Sequence, residues 1–160
     1  YEVSKLYQNN KKIFFKLKKK LPKYVKKFPL DKNEIIQAIL GNKNNLPKII
    51  NIVHREIKEK LKLFLKKNKN KEIIILDIPL LLENKINSKN DVLIFVDAQK
   101  KDIKKRLIKR KNFNLRLLNK FKKIQLPLDY KKKKSHFIIK NKFTKTSIKN
   151  SVKKILAEVL

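Results

Sequence analysis

The stretch IIILDIPLLLE, residues 73 to 83, sets one carboxylate, Asp77, at the end of an apolar run, with Pro79 two places on and Glu83 at its close. A carboxylate at the end of a buried strand suits holding a magnesium ion through water or orienting a reacting hydroxyl. It suits equally well capping the turn that follows. Arg106 and Arg110 fall four residues apart in a lysine-rich stretch. On one helix that spacing puts both guanidinium groups on a shared face, within reach of one anionic site, or it makes a solvated basic face. The histidines, His54 and His136, are too far apart in sequence to read as a metal pair. His136 leads an apolar run and reads as structural, whereas His54 sits in a helical stretch beside Arg55. The absence of cysteine excludes a disulfide framework and a thiolate metal centre.

These residues need a scaffold, and the apolar spacing supplies one. Ile13, Phe14, Leu17 and Leu21 recur at intervals of three and four, which predicts a helix that Pro22 interrupts. LDKNEIIQAILG reads as a second helix, with Asp31 as cap, Glu34 completing a capping box and Gly41 as a left-handed stop. Pro47 suits the first turn of a third helix toward Val53, and Arg55 to Lys67 carries another apolar stripe. From Glu72 the texture changes. EIIILD and DVLIFVDA are continuous β-branched runs, expected to be strands buried on both faces. A helix QKKDIKKRLIKRK with Ile103, Leu107 and Ile108 inward, a helix NLRLLNKFKKIQL, a strand HFIIK and a last helix with Ile148, Val152, Ile155 and Leu156 inward follow. Strands alternating with helices imply an α/β parallel sheet, in which ligands bind beyond the carboxyl ends of the strands.

The formal charge is +32, which invites a nucleic-acid reading. Arg55, Arg106, Arg110 and Arg116 are nevertheless the only arginines among 45 basic residues. Bidentate recognition of bases and phosphates favours arginine over lysine. The lysines run the length of the chain beside abundant Asn and Ile, as compositional drift in an AT-rich genome would leave them. Weak, salt-sensitive polyanion binding is expected either way. No stretch reaches the ~20 apolar residues of a membrane span.

LDIPLLLEN, residues 76 to 84, resembles the central motif of the dephospho-CoA kinases, P-loop enzymes that phosphorylate the ribose 3′-hydroxyl of dephospho-coenzyme A. The resemblance runs collinearly along nearly the whole chain. LDKNEIIQAIL is similar to the family's acidic-basic pair ahead of a helix, with Lys32 where arginine is common. IVHREI is similar to its His-Pro segment, with His54 matching and Arg55 in the place of proline. VLIFVDAQKKDIKKRLIKR resembles the strand and helix that carry two arginines, here Arg106 and Arg110, with Ile103 where glutamine is usual. FNLRLLNKFKKIQ resembles a lid helix ending at Gln125, and SHFIIKN places Asn141 near the adenine, with His136 standing for an aspartate.

The resemblance implies an α/β P-loop kinase fold, a Rossmann-like parallel sheet flanked by helices, with strands near 72–77, 92–97 and 136–140. Residues 1–7, 69–110 and 135–160 would form the kinase core, 8–68 a helical acceptor-binding insertion and 111–134 a lid whose YKKKK stretch is a solvated flap. It implies ATP and Mg2+ as cofactors, dephospho-CoA as acceptor, a cytoplasmic location and no membrane partner, and it leaves the oligomeric state, monomer or otherwise, open. Asp77, Arg106 and Arg110 would be catalytic, Arg110 and Asn141 would hold ATP, and Lys32 and His54 would hold the acceptor. The family's glycine-rich loop ending in Gly-Lys-Ser/Thr has no counterpart here, Gly41 being the sole glycine. On this alignment the first strand, that loop and an Asp-x-Asp segment precede Tyr1, so the chain is expected to be an inactive, marginally stable fragment. The rival readings are a basic RNA- or ribosome-associated module and another P-loop nucleoside or nucleotide kinase.

Overall fold

A computed structural model of the chain describes residues 2–110 and 113–160. Tyr1, at the head of the expected core, and residues 111 and 112, at the start of the expected lid, lie outside the described residues. The chain forms two compact units, Tyr1–Asp77 and Ile78–Leu160.

The first unit is helical: α1 (Glu2–Asn9), α2 (Lys11–Lys20), α3 (Lys32–Gly41) and α4 (Asn45–Lys67). Its stripes meet in a core of Leu6, Tyr7, Ile13, Phe14, Leu17, Leu21, Val25, Leu30, Ile35, Ala38, Ile39, Leu46, Ile49 and Val53. Leu6, Ile13, Leu17 and Val25 are fully buried, each contributing about 1.5–3 kcal/mol against exposure. Asn10 caps α2 by accepting from the Ile13 amide at 3.0 Å. Asp31 caps α3 through the Asn33 amide at 2.8 Å.

Two expected caps take another form. Glu34 accepts from the Lys26 amide at 3.3 Å, so it ties down the preceding loop and the reciprocal capping box is not formed. Gly41 is the last helical residue of α3, and no glycine has positive φ. Its missing side chain answers a packing need, since a Cβ there would lie 2.2 Å from the Tyr24 hydroxyl. Pro47 does sit in the first turn of its helix, and the two helices expected across Val53 and Arg55 are one, the 23-residue α4.

The second unit is α/β. It holds β1 (Ile94–Asp97), α5 (Lys100–Ile108), α6 (Leu115–Ile124), α7 (Leu128–Lys134), β2 (Phe137–Lys140) and α8 (Lys145–Val159). β1 and β2 pair in parallel with Ile94 opposite Phe137 and Asp97 opposite Lys140. His136 extends this pairing: its amide donates to the Leu93 carbonyl at 2.8 Å and its Nδ1 accepts from the Leu93 amide at 2.9 Å. The structural reading of that histidine holds.

Of the three expected strands, the one at 72–77 is not in a ladder among the described residues. Residues 73–77 run between the helical unit and the turn at Pro79 without strand pairing, and Ile75 is 86% exposed. A β-branched run becomes a strand only when neighbours accept its hydrogen bonds. For the same reason the double-sided burial expected of 91–98 is half realised: Val92, Ile94 and Val96 are exposed while Leu93 and Phe95 are partly covered. In α5, Leu107 is half-buried but Ile103 and Ile108 are exposed. In α8, Ile148 and Ile155 are half-buried, whereas Val152 and Leu156 are exposed.

Candidate functional site

The second unit assembles its polar groups where its strands end. Asp97 closes β1, and the Asn141 amide, one residue beyond β2, donates to the Asp97 carbonyl at 2.7 Å. That bond continues the ladder past the last register pair and fixes the loop 141–144 at the carboxyl edge, where parallel sheets bind ligands. The Asn141 side chain then accepts from the Phe143 amide at 2.7 Å. Phe143 takes φ of 58°, a conformation sparsely populated by aromatic residues. Thr144 follows as the N-cap of α8.

Phe143 meets α5. The Arg106 guanidinium carbon lies 4.5 Å from the centre of its ring, and Asp102, Lys105, Arg106, Lys109 and Phe143 line a cavity of about 410 Å³. With three cations and one carboxylate around it, this cavity attracts anions. Arg110 is placed differently. α5 ends at Ile108 and Arg110 lies in the bend beyond Lys109, so the shared helix face expected for Arg106 and Arg110 does not extend to Arg110. The structure therefore brings together Arg106 and Asn141, with Phe143 between them.

The basic stretch after Pro127 is the helix α7, and two of its lysines hold carboxylates. Lys132 Nζ is 2.8 Å from Asp97 Oδ2 at the end of β1, and it lies 5.8 Å from the Phe95 ring centre. Lys131 pairs with Glu83, whose side chain is only 9% exposed. Glu83 Oε1 also accepts from the Leu126 amide at 3.0 Å. Burial alone would push the Glu83 carboxyl up, but the Lys131 ammonium and the Glu83 and Leu126 amides outweigh it and hold the group below the ordinary carboxylate range. Of the solvated flap expected at 130–134, Tyr130, Lys133 and Lys134 are exposed, while Lys131 and Lys132 are half-buried against Glu83 and Asp97.

The turn after Pro79 explains the rest of the motif. Leu80 and Lys85 have positive φ, and both the amide and the side chain of Asn84 donate to the Leu80 carbonyl, at 3.1 and 2.8 Å. Glu83 and Asn84 thus shape this loop and dock α7 upon it. Glu83 reaches the backbone just ahead of α7.

The other candidates belong to the first unit. Asp77 closes it, exposed at the end of the extended run. Lys32 opens α3 next to its cap Asp31 and is exposed. His54 is half-buried in α4, and Arg55 beside it is exposed. Among the described residues, no group of three or more His, Cys, Asp or Glu side chains could hold a metal ion. A magnesium ion needs fewer protein ligands, since one or two carboxylates with substrate phosphates suffice. A lone exposed carboxylate such as Asp77 fits that auxiliary role and no larger one.

Sequence reasoning missed Asp97, Lys132 and Phe143. Asp97 carried the same signal as Asp77, a carboxylate ending a β-branched run. Lys132 was hidden among identical neighbours, and Phe143 carries no periodic signal at all.

With this geometry in view, the comparisons with known proteins agree on one family. The model of the dephospho-CoA kinase family matches residues 3–147. The dephospho-CoA kinase of Wolbachia pipientis wMel is 30% identical over 156 residues, covering 96% of this chain and 80% of that protein. The one from Wolbachia sp. subsp. Brugia malayi (strain TRS) is 29% identical over the same length, with the same shares covered. That of Fusobacterium nucleatum subsp. nucleatum is 30% identical over 112 residues, 70% of this chain and 58% of the relative. The α/β architecture, a small parallel sheet flanked by helices, agrees with a P-loop kinase fold, and no helix among the described residues is long and apolar enough to cross a membrane. The chain belongs to the dephospho-CoA kinase family.

Proposed function

We propose that these residues serve the ATP-dependent phosphorylation of the ribose 3′-hydroxyl of dephospho-CoA, the last step of coenzyme A synthesis, in the cytoplasm. The observation that carries this reading is the joining of Arg106 and Asn141 at the carboxyl edge of the parallel strands, through one loop and beside a basic cavity. Phosphoryl transfer asks the protein mainly for positioning and for cations aimed at developing charge. Arg106 supplies a fixed cation, and Arg110 supplies a second from the bend after α5. Asn141, by its match to the family's motif, would hold the nucleotide base. Asp77 is the site carboxylate, and Lys32 and His54, on the helices of the 8–68 insertion, contact the acceptor. Residues 111–134 form the lid, and 1–7, 69–110 and 135–160 the kinase core. Magnesium, when bound, neutralises phosphate charge; Asp77 would contribute one oxygen toward it.

The 160 residues contain no Gly-Lys-Ser/Thr loop, so we expect them to bind substrates without turning them over. Calorimetric titration with dephospho-CoA and with ATP, alongside ADP release in the presence of both, tests this. Binding of both ligands that Arg106→Ala weakens, with no ADP released above buffer, is the expected result. Robust ADP release would overturn the claim that the phosphate loop is required. Absence of ATP binding together with RNA retention at physiological salt would overturn the kinase reading in favour of a basic RNA-binding module.

A further inference from the structure

We infer that Phe143 is a positioning residue for Arg106: its ring holds the guanidinium at the cavity wall and thereby sets the affinity for a nucleoside diphosphate or triphosphate. This inference rests on the nucleotide-binding reading above. An arginine on the exposed face of a lysine-rich helix has many rotamers of similar energy, and ordering one of them opposes binding. Arg106 is on such a face, since α5 contributes no buried residue. Here the guanidinium carbon lies 4.5 Å from the centre of the Phe143 ring, within the range of a cation–π contact. A guanidinium that meets a ring through its face keeps the N–H groups of its edge for phosphate oxygens.

The backbone is arranged to present that ring. Phe143 takes φ of 58°, which an aromatic residue adopts only when its surroundings impose it. The imposing bonds run in series: the Asp97 carbonyl takes the Asn141 amide at 2.7 Å, and the Asn141 side chain takes the Phe143 amide at 2.7 Å. The end of β1 therefore fixes, through Asn141, where the ring stands, and the ring fixes Arg106. Asn141 acquires a second task in this arrangement, linking the strand end to the arginine whether or not it touches a base. Without the ring, the same cavity would retain its charges and lose the fixed direction of one of them.

Two substitutions separate the ring from the turn. Asn tolerates the left-handed conformation, so Phe143→Asn keeps the turn and removes the ring; Phe143→Tyr keeps both. The assay uses the full chain, titrated with ADP by calorimetry, with the Arg106 side-chain proton and nitrogen signals followed by NMR. Ring-current displacement of the Arg106 signals in the wild type and in Phe143→Tyr, lost in Phe143→Asn, is expected. ADP dissociation constants should weaken roughly two- to fivefold in Phe143→Asn and stay near wild type in Phe143→Tyr. Arg106 signals that do not move in Phe143→Asn, or ADP affinity that does not change, would overturn the inference while leaving the nucleotide reading intact. Displaced Arg106 signals in a wild-type chain that binds no ADP would instead overturn the nucleotide reading, and the inference with it.

Discussion

Removing the charge of Glu83 is the sharpest test of how α7 is held. In Glu83→Gln the side-chain carbonyl can still accept from the Leu126 amide, but the partner of Lys131 is lost, and a side-chain amide faces the ammonium. Hydrogen bonds to charged groups contribute about 1.5–3 kcal/mol, and breaking a fully buried ion pair costs about 3–5 kcal/mol. The Lys131 side chain is 17% exposed and that of Glu83 is 9% exposed, so water recovers part of the loss. We expect a destabilisation of the second unit of about 1–3 kcal/mol at pH 7. The assay is urea denaturation followed through the amide NMR signals of α7 and β2, compared between wild type and variant.

The pH dependence carries the sign. Glu83 has a depressed folded value, so its stabilisation is complete above the ordinary glutamate value of about 4.3 and is lost as pH falls through the depressed one. Glutamine does not titrate. The gap between the two proteins should therefore be constant from pH 7 to 5 and close as the pH falls further. A gap below about 0.5 kcal/mol at pH 7, the scatter of ordinary surface substitutions, would refute the idea that this carboxylate holds α7. So would a gap that persists unchanged to pH 2.

Two further outcomes concern the first unit. Gly41→Ala sets a Cβ against the hydroxyl end of the half-buried Tyr24 ring, which must turn outward to admit it, so the cost falls at the low end of the about 1–3 kcal/mol of overpacking. In a Tyr24→Ala background the same change should instead stabilise by up to ~1 kcal/mol through helix propensity, as thermal unfolding would show. Burial pushes the Tyr7 phenol up to about 12, so its contribution is whole below the ordinary tyrosine value of about 10 and is lost as pH rises through the raised one. Tyr7→Phe should escape that loss, gaining roughly 2–3 kcal/mol relative to wild type by pH 12, measured as urea midpoints at pH 8 and pH 12.

Helix positions in the first unit were legible as far as Val53 because the stripes there find partners: Ile13, Phe14 and Leu17 recur at helical spacing and are buried together, whereas Phe64 and Leu65 of the Arg55–Lys67 stripe are exposed. Periodicity reports what a segment could bury, and in that unit the burial is local. It reports less where a segment depends on neighbours. EIIILD and DVLIFVDA look alike as sequences, yet only the latter supplies a strand in a ladder, because β2 exists to pair with it. The family was legible from LDIPLLLEN, but the work its Glu83 and Asn84 do was not. Their partners, Leu126, Lys131 and Leu80, are set by the fold of a turn and a helix more than by spacing. Motif order singled out Arg106 and Asn141 separately, Arg106 beside Arg110 and Asn141 near the adenine, but not their meeting through one loop. Phe143 was not legible, since only coordinates reveal a ring beside a guanidinium.

The extended run at 73–76 has a consequence for handling the protein. Uncharged β-branched backbone with Ile75 almost fully open to solvent is a template for strands of other molecules, the seed of cross-β aggregation. A formal charge of +32 keeps copies apart at long range. Electrolyte shortens the reach of that repulsion to about 10 Å at 0.1 M and about 3 Å at 1 M. Colloidal stability should therefore fall as buffer concentration rises, the reverse of the salting-in common among proteins near neutrality.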